Sequence, residues 1–235
     1  MTAGSFDDAW MLARDVEGWL TEGQARRLWQ ETSATQPLRR VVEIGSHHGK
    51  STIVLATAAD AVGARVTAID PFDNPRWGGG PDARVQIEKN LAAAGVQDTV
   101  DLTADLSTSV RPTWTEQVDV LYIDGAHDYP TVVDDLKWAE HVREGGVVAI
   151  HDAFSSIGVT RALLQHVTGA PHLAYAGRER SLVILRRRRP SAFARLRLVA
   201  QTGWFLRNVL VKVALRRRWA GLARALGHEG ADYPY

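Results

Sequence analysis

Residues 41–52 read VVEIGSHHGKST, a run of β-formers that meets a turn with two glycines and continues into Lys50, Ser51 and Thr52. A strand that ends in such a turn and enters a helix forms the ligand-binding corner of an open parallel sheet, so the reading of this turn decides the fold. A P-loop requires G-x-x-x-x-G-K-[ST]. Gly45 and Gly49 enclose only three residues, which leaves the turn one residue short of the usual amide cradle. Glu43, beside the turn, would also repel a phosphate. The dinucleotide fingerprint G-x-G-x-x-G fails as well, because position 47 is His. What remains is E-x-G-x-x-x-G-x-S, with Asp70 at the end of the next β-forming run.

Outward from this turn, short apolar runs alternate with helix-like stretches. The spacing predicts strands at 41–44, 66–69, 99–103, 118–123 and 147–151, with helices near 50–62, 82–94, 131–143 and 156–167. Two further strands, 172–175 and 181–186, close the body. Such alternation predicts a parallel sheet covered on both faces. Upstream, residues 7–31 have helical spacing that Gly18 and Gly23 are expected to break into two pieces. The WGGGP stretch at 77–81 reads as a mobile loop. Ligands of such sheets sit beyond the carboxyl ends of the strands. Those ends carry Glu43 to Gly49, Asp70, Asp105, Asp124, and His151 with Asp152, so acidic groups and histidines converge on one rim.

The 235 residues suit one α/β domain with additions. The absence of cysteine excludes disulfides and thiolate metal sites. The beginning, MTAGSFDDAWML, has no basic region followed by an apolar run, and no stretch of 18 apolar residues occurs. Neither a signal peptide nor a transmembrane helix is expected. Charge is unevenly spread. From Arg186 onward eleven arginines and Lys212 face only Glu229 and Asp232, a net +10, whereas the preceding residues carry −9. A basic appendage follows an acidic body.

The E-x-G-x-x-x-G-x-S pattern with Asp70 resembles the first motif of class I S-adenosylmethionine (SAM) methyltransferases. The resemblance implies that Gly45, Ser46, Gly49 and Ser51 form the cofactor turn and that Glu43 interacts with the cationic end of SAM. It further implies that Asp70 takes the ribose hydroxyls and that Asp105 or its neighbours reach the adenine. The charge logic is consistent, since SAM is a sulfonium cation.

The stretch IDGAHDYPTVVDDLKWAEHVREGGVVAIHD (123–152) is more specific. With its I-D-G-x-H-x-Y and G-G-x-x-x-x-H-D segments it looks like the metal-dependent small-molecule O-methyltransferases, particularly the branch that acts on sugars and glycosylated natural products. The resemblance spans residues 8–186 and includes EGWL (17–20), which in that family lies near the cofactor. It extends to family members that methylate mannosides in polysaccharide synthesis. A sugar hydroxyl is a weak nucleophile, helped by a cation that acidifies it and a base that removes its proton. Asp124 and Asp152 suit a hard divalent ion, Mg²⁺ or Mn²⁺, with His151 standing where relatives place a further ligand. Asp124 also counts among the cofactor-binding residues. His127, one turn beyond Asp124, is the expected general base. Tyr129 is expected either in the acceptor pocket or in packing, and His48, in the glycine turn, reads as a turn residue ahead of a ligand contact. His141 and His166 read as ordinary helical histidines, and His172 is assigned nothing.

Residues 186–226 alternate arginine with apolar residues, which predicts one or two amphipathic helices. They fit a membrane surface, packing on the domain or another subunit, or placement of an acidic acceptor; no specific nucleic-acid module accompanies them. The expectation is therefore a doubly wound, mostly parallel, seven-stranded α/β sheet over residues 37–186. N-terminal helices at 1–36 precede it and a basic helical tail at 187–235 follows. Its activity is SAM- and metal-dependent O-methylation of a small-molecule or oligosaccharide acceptor, in a cytoplasmic homo-oligomer able to sit at the membrane periphery. A non-catalytic SAM-binding scaffold and a P-loop-like nucleotide enzyme are the rival readings.

Overall fold

Five runs of β-formers assemble into parallel strands: β1 (Arg40–Ile44), β2 (Arg65–Ile69), β3 (Val100–Thr103), β4 (Val118–Ile123) and β5 (Val142–Ile150). The computed structural model describes residues 4–73, 80 and 82–228. Two further strands, β6 (Leu173–Glu179) and β7 (Leu182–Arg187), complete a seven-stranded sheet of order β3-β2-β1-β4-β5-β7-β6. β7 is antiparallel to both neighbours. This is the class I methyltransferase sheet. β4 lies at its centre and is buried at every residue, as expected for a strand covered on both faces.

Alternation along the strands separates two apolar layers. Val41, Val66, Val120 and Tyr122 face one side with Leu28, Ile53 and Ile87. These come from α2 (Glu22–Ser33), α3 (Lys50–Asp60) and α4 (Ala83–Ala94). Val42, Leu121, Ile123 and Val148 face the other side with Val132, Trp138 and Leu163. That layer is covered by α5 (Ser107–Val110), α6 (Tyr129–Leu136) and α7 (Ile157–Ala162).

The strand positions follow the sequence pattern closely, and the departures have local causes. α1 (Phe6–Ala13) ends well before Gly18, but Gly23 lies inside the first turn of α2. There Thr21 and Gln24 form a reciprocal capping box, which starts the helix ahead of the glycine. The helix expected at 131–143 ends at Leu136, passes through a 3₁₀ turn at 137–140 and gives way to β5. Gly145 and Gly146 are part of β5, and a Cβ on Gly146 would lie 2.9 Å from the Asp119 carbonyl oxygen. The 156–167 helix closes in a π turn at 163–167. Of the WGGGP loop, residues 77–79 and 81 lie outside the described residues.

The tail forms three helices, α8 (Ala192–Ala200), α9 (Thr202–Arg216) and α10 (Ala220–Ala225). α8 and the start of α9 pack against the second layer through Leu198, Trp204 and Phe205. Arg178 fastens the junction: its Nε donates to Gln201 Oε1 at 2.7 Å and its guanidinium lies 4.2 Å from the Trp204 ring centre. Among the described residues no helix is long and apolar enough to cross a membrane.

Candidate active site

The sheet's hydrogen-bond ladder continues past the strand ends. Gly45 N donates to Ile69 O, Asp124 N to Ile44 O and His151 N to Ile123 O, at 2.8–2.9 Å. The ladder therefore sets the glycine turn, Asp124 and His151 side by side on one rim. Gly45 has φ +86°, and a Cβ there would fall 2.3 Å from the Asp124 carbonyl oxygen. Only glycine lets the β1 and β4 ends approach this closely. Gly49, at φ +91°, is the N-cap of α3.

Asp70 holds the turn from the neighbouring strand. Its Oδ2 accepts from the amides of Ser46 and His47, each at 2.9 Å, and its Oδ1 accepts from Phe72 N at 2.8 Å. A carboxylate has about four acceptor positions, so about one is left for a ribose hydroxyl. The amide pair that would face a phosphate already holds this carboxylate. Lys50 also turns away from the rim: its Nζ donates to the carbonyls of Arg14 and Gly18 at 3.0 and 3.5 Å. Both observations disfavour the P-loop reading.

Glu43 lies wholly buried beneath the turn. Its oxygens accept from Ser51 Oγ at 2.5 Å and Thr52 Oγ1 at 2.6 Å. Burial, with Asp124 and Asp70 nearby, outweighs these hydrogen bonds and pushes its pKa up to about 8. Ser51 is thus committed to Glu43. Ser46 is 2% exposed and its Oγ has no partner, a polar atom that a ligand would satisfy. Asp105 is exposed beyond β3 and accepts from Leu106 N at 2.7 Å. The EGWL segment comes against the turn: the Trp19 and His47 ring centres are 5.5 Å apart, and Glu17 Oε2 is 3.4 Å from His48 Nδ1.

At the ends of β4 and β5, two carboxylates and two imidazoles interlock. His127 Nδ1 is 3.2 Å from Asp152 Oδ2 and its Nε2 is 3.5 Å from Asp124 Oδ1. His151 Nδ1 is 3.2 Å from the same Asp124 oxygen. Tyr122, on the preceding inward position of β4, donates its hydroxyl to Asp124 Oδ2 at 2.9 Å. For His151, burial favours the neutral ring, but Asp124 and Asp152 prevail and lift its pKa to about 9. Burial likewise opposes charge on His127, yet the Asp124 hydrogen bond and both aspartates raise its pKa above the ordinary 6.5. Burial acts to raise the Asp124 pKa, but His151 and His127 hold it well below the carboxylate range.

These residues, as placed, do not fit a divalent ion. The His127 ring lies between the two carboxylates that would bridge it. The remaining oxygens face protein donors, Tyr122 on Asp124 and Ser155 Oγ on Asp152 at 2.9 Å. Among the described residues no group of three or more acidic or histidine side chains is arranged to hold a metal ion.

Asp152 has φ +53° and Phe154 φ +59°, so the loop after β5 uses left-handed backbone that non-glycine residues seldom adopt. The tail supports it. Asn208, 1% exposed, donates Nδ2 to Phe154 O at 2.9 Å, and Lys212 Nζ donates to Ser155 O at 2.7 Å. Tyr129 is the first residue of α6. Its hydroxyl joins Gln165 Oε1 and His166 Nε2 at 2.7 and 2.9 Å, tying the start of α6 to the π turn after α7. His141 sits beside the Trp138 ring, and His172 stands before β6. Sequence reading missed Tyr122, Thr52, Asn208 and Lys212.

Comparison with known proteins fits this geometry. Residues 42–153 match a family model described as a methyltransferase domain. Cofactor-bound Rv0187 from MTB is 22% identical, with TM-score 0.60 over 78% of this chain and 89% of that one. The O-methyltransferase TomG from Streptomyces achromogenes, involved in tomaymycin synthesis and solved with SAM, is 20% identical, with TM-score 0.53 over 79% and 88%. An O-methyltransferase from Bacillus cereus solved with SAH is 18% identical, with TM-score 0.56 over 77% and 87%. At these identities the structures share the fold. Residues 42–153, which carry the glycine turn and the rim from Asp124 to Asp152, are those of a methyltransferase domain on this sheet.

Proposed function

We propose that the protein transfers the methyl group of SAM to a hydroxyl of a sugar or glycosylated small molecule, such as a mannoside, with His127 as general base. The observation that carries this reading is the His127 ring set between Asp152 and Asp124 at adjacent strand ends, beside the glycine turn. Oxygen attack on the methyl carbon breaks the carbon–sulfur bond, and sulfur leaves with the electron pair as a neutral thioether. The hydroxyl proton must go to a base during or before attack. Asp152, on Nδ1, orients the imidazole and stabilises the imidazolium that forms. The looser contact, Nε2 to Asp124, is the side an acceptor hydroxyl would approach.

SAM is assigned to the Gly45–Gly49 turn, supported by the orphaned Ser46 hydroxyl and by Asp70 and Asp105 at the neighbouring strand ends. The O-methyltransferase names of the structural neighbours support a hydroxyl acceptor. The sugar class rests on the resemblance of residues 123–152. A second reading, methylation assisted by Mg²⁺ or Mn²⁺, rests on the resemblance of residues 123–152 and requires the His127 ring to leave its place between Asp124 and Asp152. Assays of labelled methyl transfer from SAM to mono- and oligosaccharides, with and without chelator, test both. Transfer that persists in chelator and collapses in His127→Gln supports the base reading. Transfer abolished by chelator and restored by Mg²⁺ supports the second. Transfer that His127→Gln leaves intact overturns the base assignment.

A further inference from the structure

The C-terminal helices have two faces. Along α9 the buried Asn208, Val211 and Ala214 recur every three residues: Asn208 bonds the body at Phe154 O, and Val211 and Ala214 pack with Ala223 of α10. Leu206, Leu210 and Val213 lie outside that stripe, 61%, 52% and 45% exposed. α8 repeats the pattern, with Ala194 and Leu198 buried while Phe193 and Leu196 are 66% and 64% exposed. More than half of the exposed large apolar side chains among the described residues lie in the tail beyond Arg187. Isolated exposed apolar residues are ordinary, but a concentration of them marks an interaction surface. Arginines accompany them: Arg195 and Arg197 on α8, and Arg216, Arg217 and Arg218 at the end of α9, all exposed.

The charge decides what fits this surface. A second copy would bring one net +10 tail against another, which is unfavourable. Nucleic acid would engage the arginines, but it gives aliphatic side chains such as Leu206, Leu210 and Val213 no partner. An anionic lipid surface satisfies both features, because aliphatic side chains enter the headgroup–acyl boundary while arginines meet lipid phosphates.

We propose that α8 and α9 form a docking surface for anionic membranes, with Phe193, Leu196, Leu206, Leu210 and Val213 inserting at the headgroup boundary and the flanking arginines holding the phosphates. Docking does not require the tail to leave the body, since Asn208 and Lys212 bond the opposite side of α9 to the loop after Asp152.

The test is co-sedimentation of the full chain with vesicles of phosphatidylglycerol and phosphatidylcholine mixed, and of phosphatidylcholine alone. The expected result is at least tenfold stronger binding to the anionic vesicles, weakening as salt rises. Leu206→Ser with Leu210→Ser, and separately Arg216→Gln with Arg217→Gln and Arg218→Gln, each lose at least tenfold of that binding while melting temperature and SAM affinity hold. Phe193→Ser supplies the same reading on α8 if the double serine variant fails to fold. Equal binding to both vesicle types overturns the proposal. So does binding that survives the serine variants, which would indicate phosphate attraction alone. Dimerisation lost in the serine variants, without vesicle binding, would assign the face to a second copy and also overturn it.

Discussion

Asp152 and Asp124 stand on either side of the His127 ring, and this placement sets both its role and its pH behaviour. His127→Gln is expected to lower kcat by about 10² to 10⁴, the usual worth of a positioned base, while SAM affinity is unchanged. Equal loss of SAM binding in a calorimetric titration would instead make His127 a cofactor contact. Because the base must be neutral, the acid limb of the kcat/KM profile should lie above 6.5, the ordinary histidine value, and move down when Asp152→Asn removes one carboxylate. Glu43 gives a stability prediction. Its folded pKa of about 8 exceeds the ordinary value of 4.5, so the native state holds its proton more tightly than the unfolded state. Its contribution is complete below about 4.5 and declines as pH rises through 8. Glu43→Gln should therefore flatten the loss of melting temperature between pH 5 and 9; an unchanged slope would show that Glu43 ionises normally. The histidines and aspartates of the rim were legible in the sequence because they stand where β-forming runs stop. Tyr122 was not, because VDVLYI reads as a plain buried strand and nothing in it marks the tyrosine hydroxyl's reach to Asp124. Nor was the buried, protonation-prone state of Glu43, which comes from its complete burial beneath the turn and is opposed by the hydrogen bonds from Ser51 and Thr52.

The β1–α3 turn and the loop after β5 are the two elements that place the site, and each is held by a distant part of the chain. Asp70 from β2 anchors the first, while Gly45 admits the close approach of β4. Gly45→Ala combines a positive φ with a Cβ 2.3 Å from a backbone oxygen. It should cost at least about 1–3 kcal/mol, read as a lowered denaturation midpoint. A midpoint within error of wild type would contradict the packing described. Asn208 and Lys212 from α9 anchor the second loop, which carries Asp152 in a left-handed conformation. Asn208→Ala should lower kcat more than it raises the KM for SAM, since it loosens the Asp152 loop without touching the glycine turn. The strand and helix alternation made the turn legible. The tail's hold on the β5 loop was not, because periodicity shows that a helix has two faces but not which partner each face meets. The misplaced helix break at Gly23 has a similar cause, since the capping box of Thr21 and Gln24 outweighs glycine's weak helix propensity in the first turn.

At the scale of the whole molecule, an acidic α/β body and a basic helical tail meet at the candidate site, the body carrying the rim of aspartates and histidines and the tail supporting the loop that carries Asp152. Their opposite charges were plain in the sequence; their attachment became visible only in the fold, where Arg178, Gln201 and Trp204 join the tail to β6. The glycine turn remains the pivot of the whole reading, because its amides hold Asp70 and its lysine faces the N-terminal segment, an arrangement unsuited to phosphate. Calorimetric titration of the full chain with SAM, and in parallel with MgATP, tests this directly. The expected result is micromolar SAM binding, weakened at least tenfold in Asp70→Ala, with no MgATP signal and little effect of Lys50→Ala on SAM affinity. MgATP binding that disappears in Lys50→Ala, without SAM binding, would contradict it.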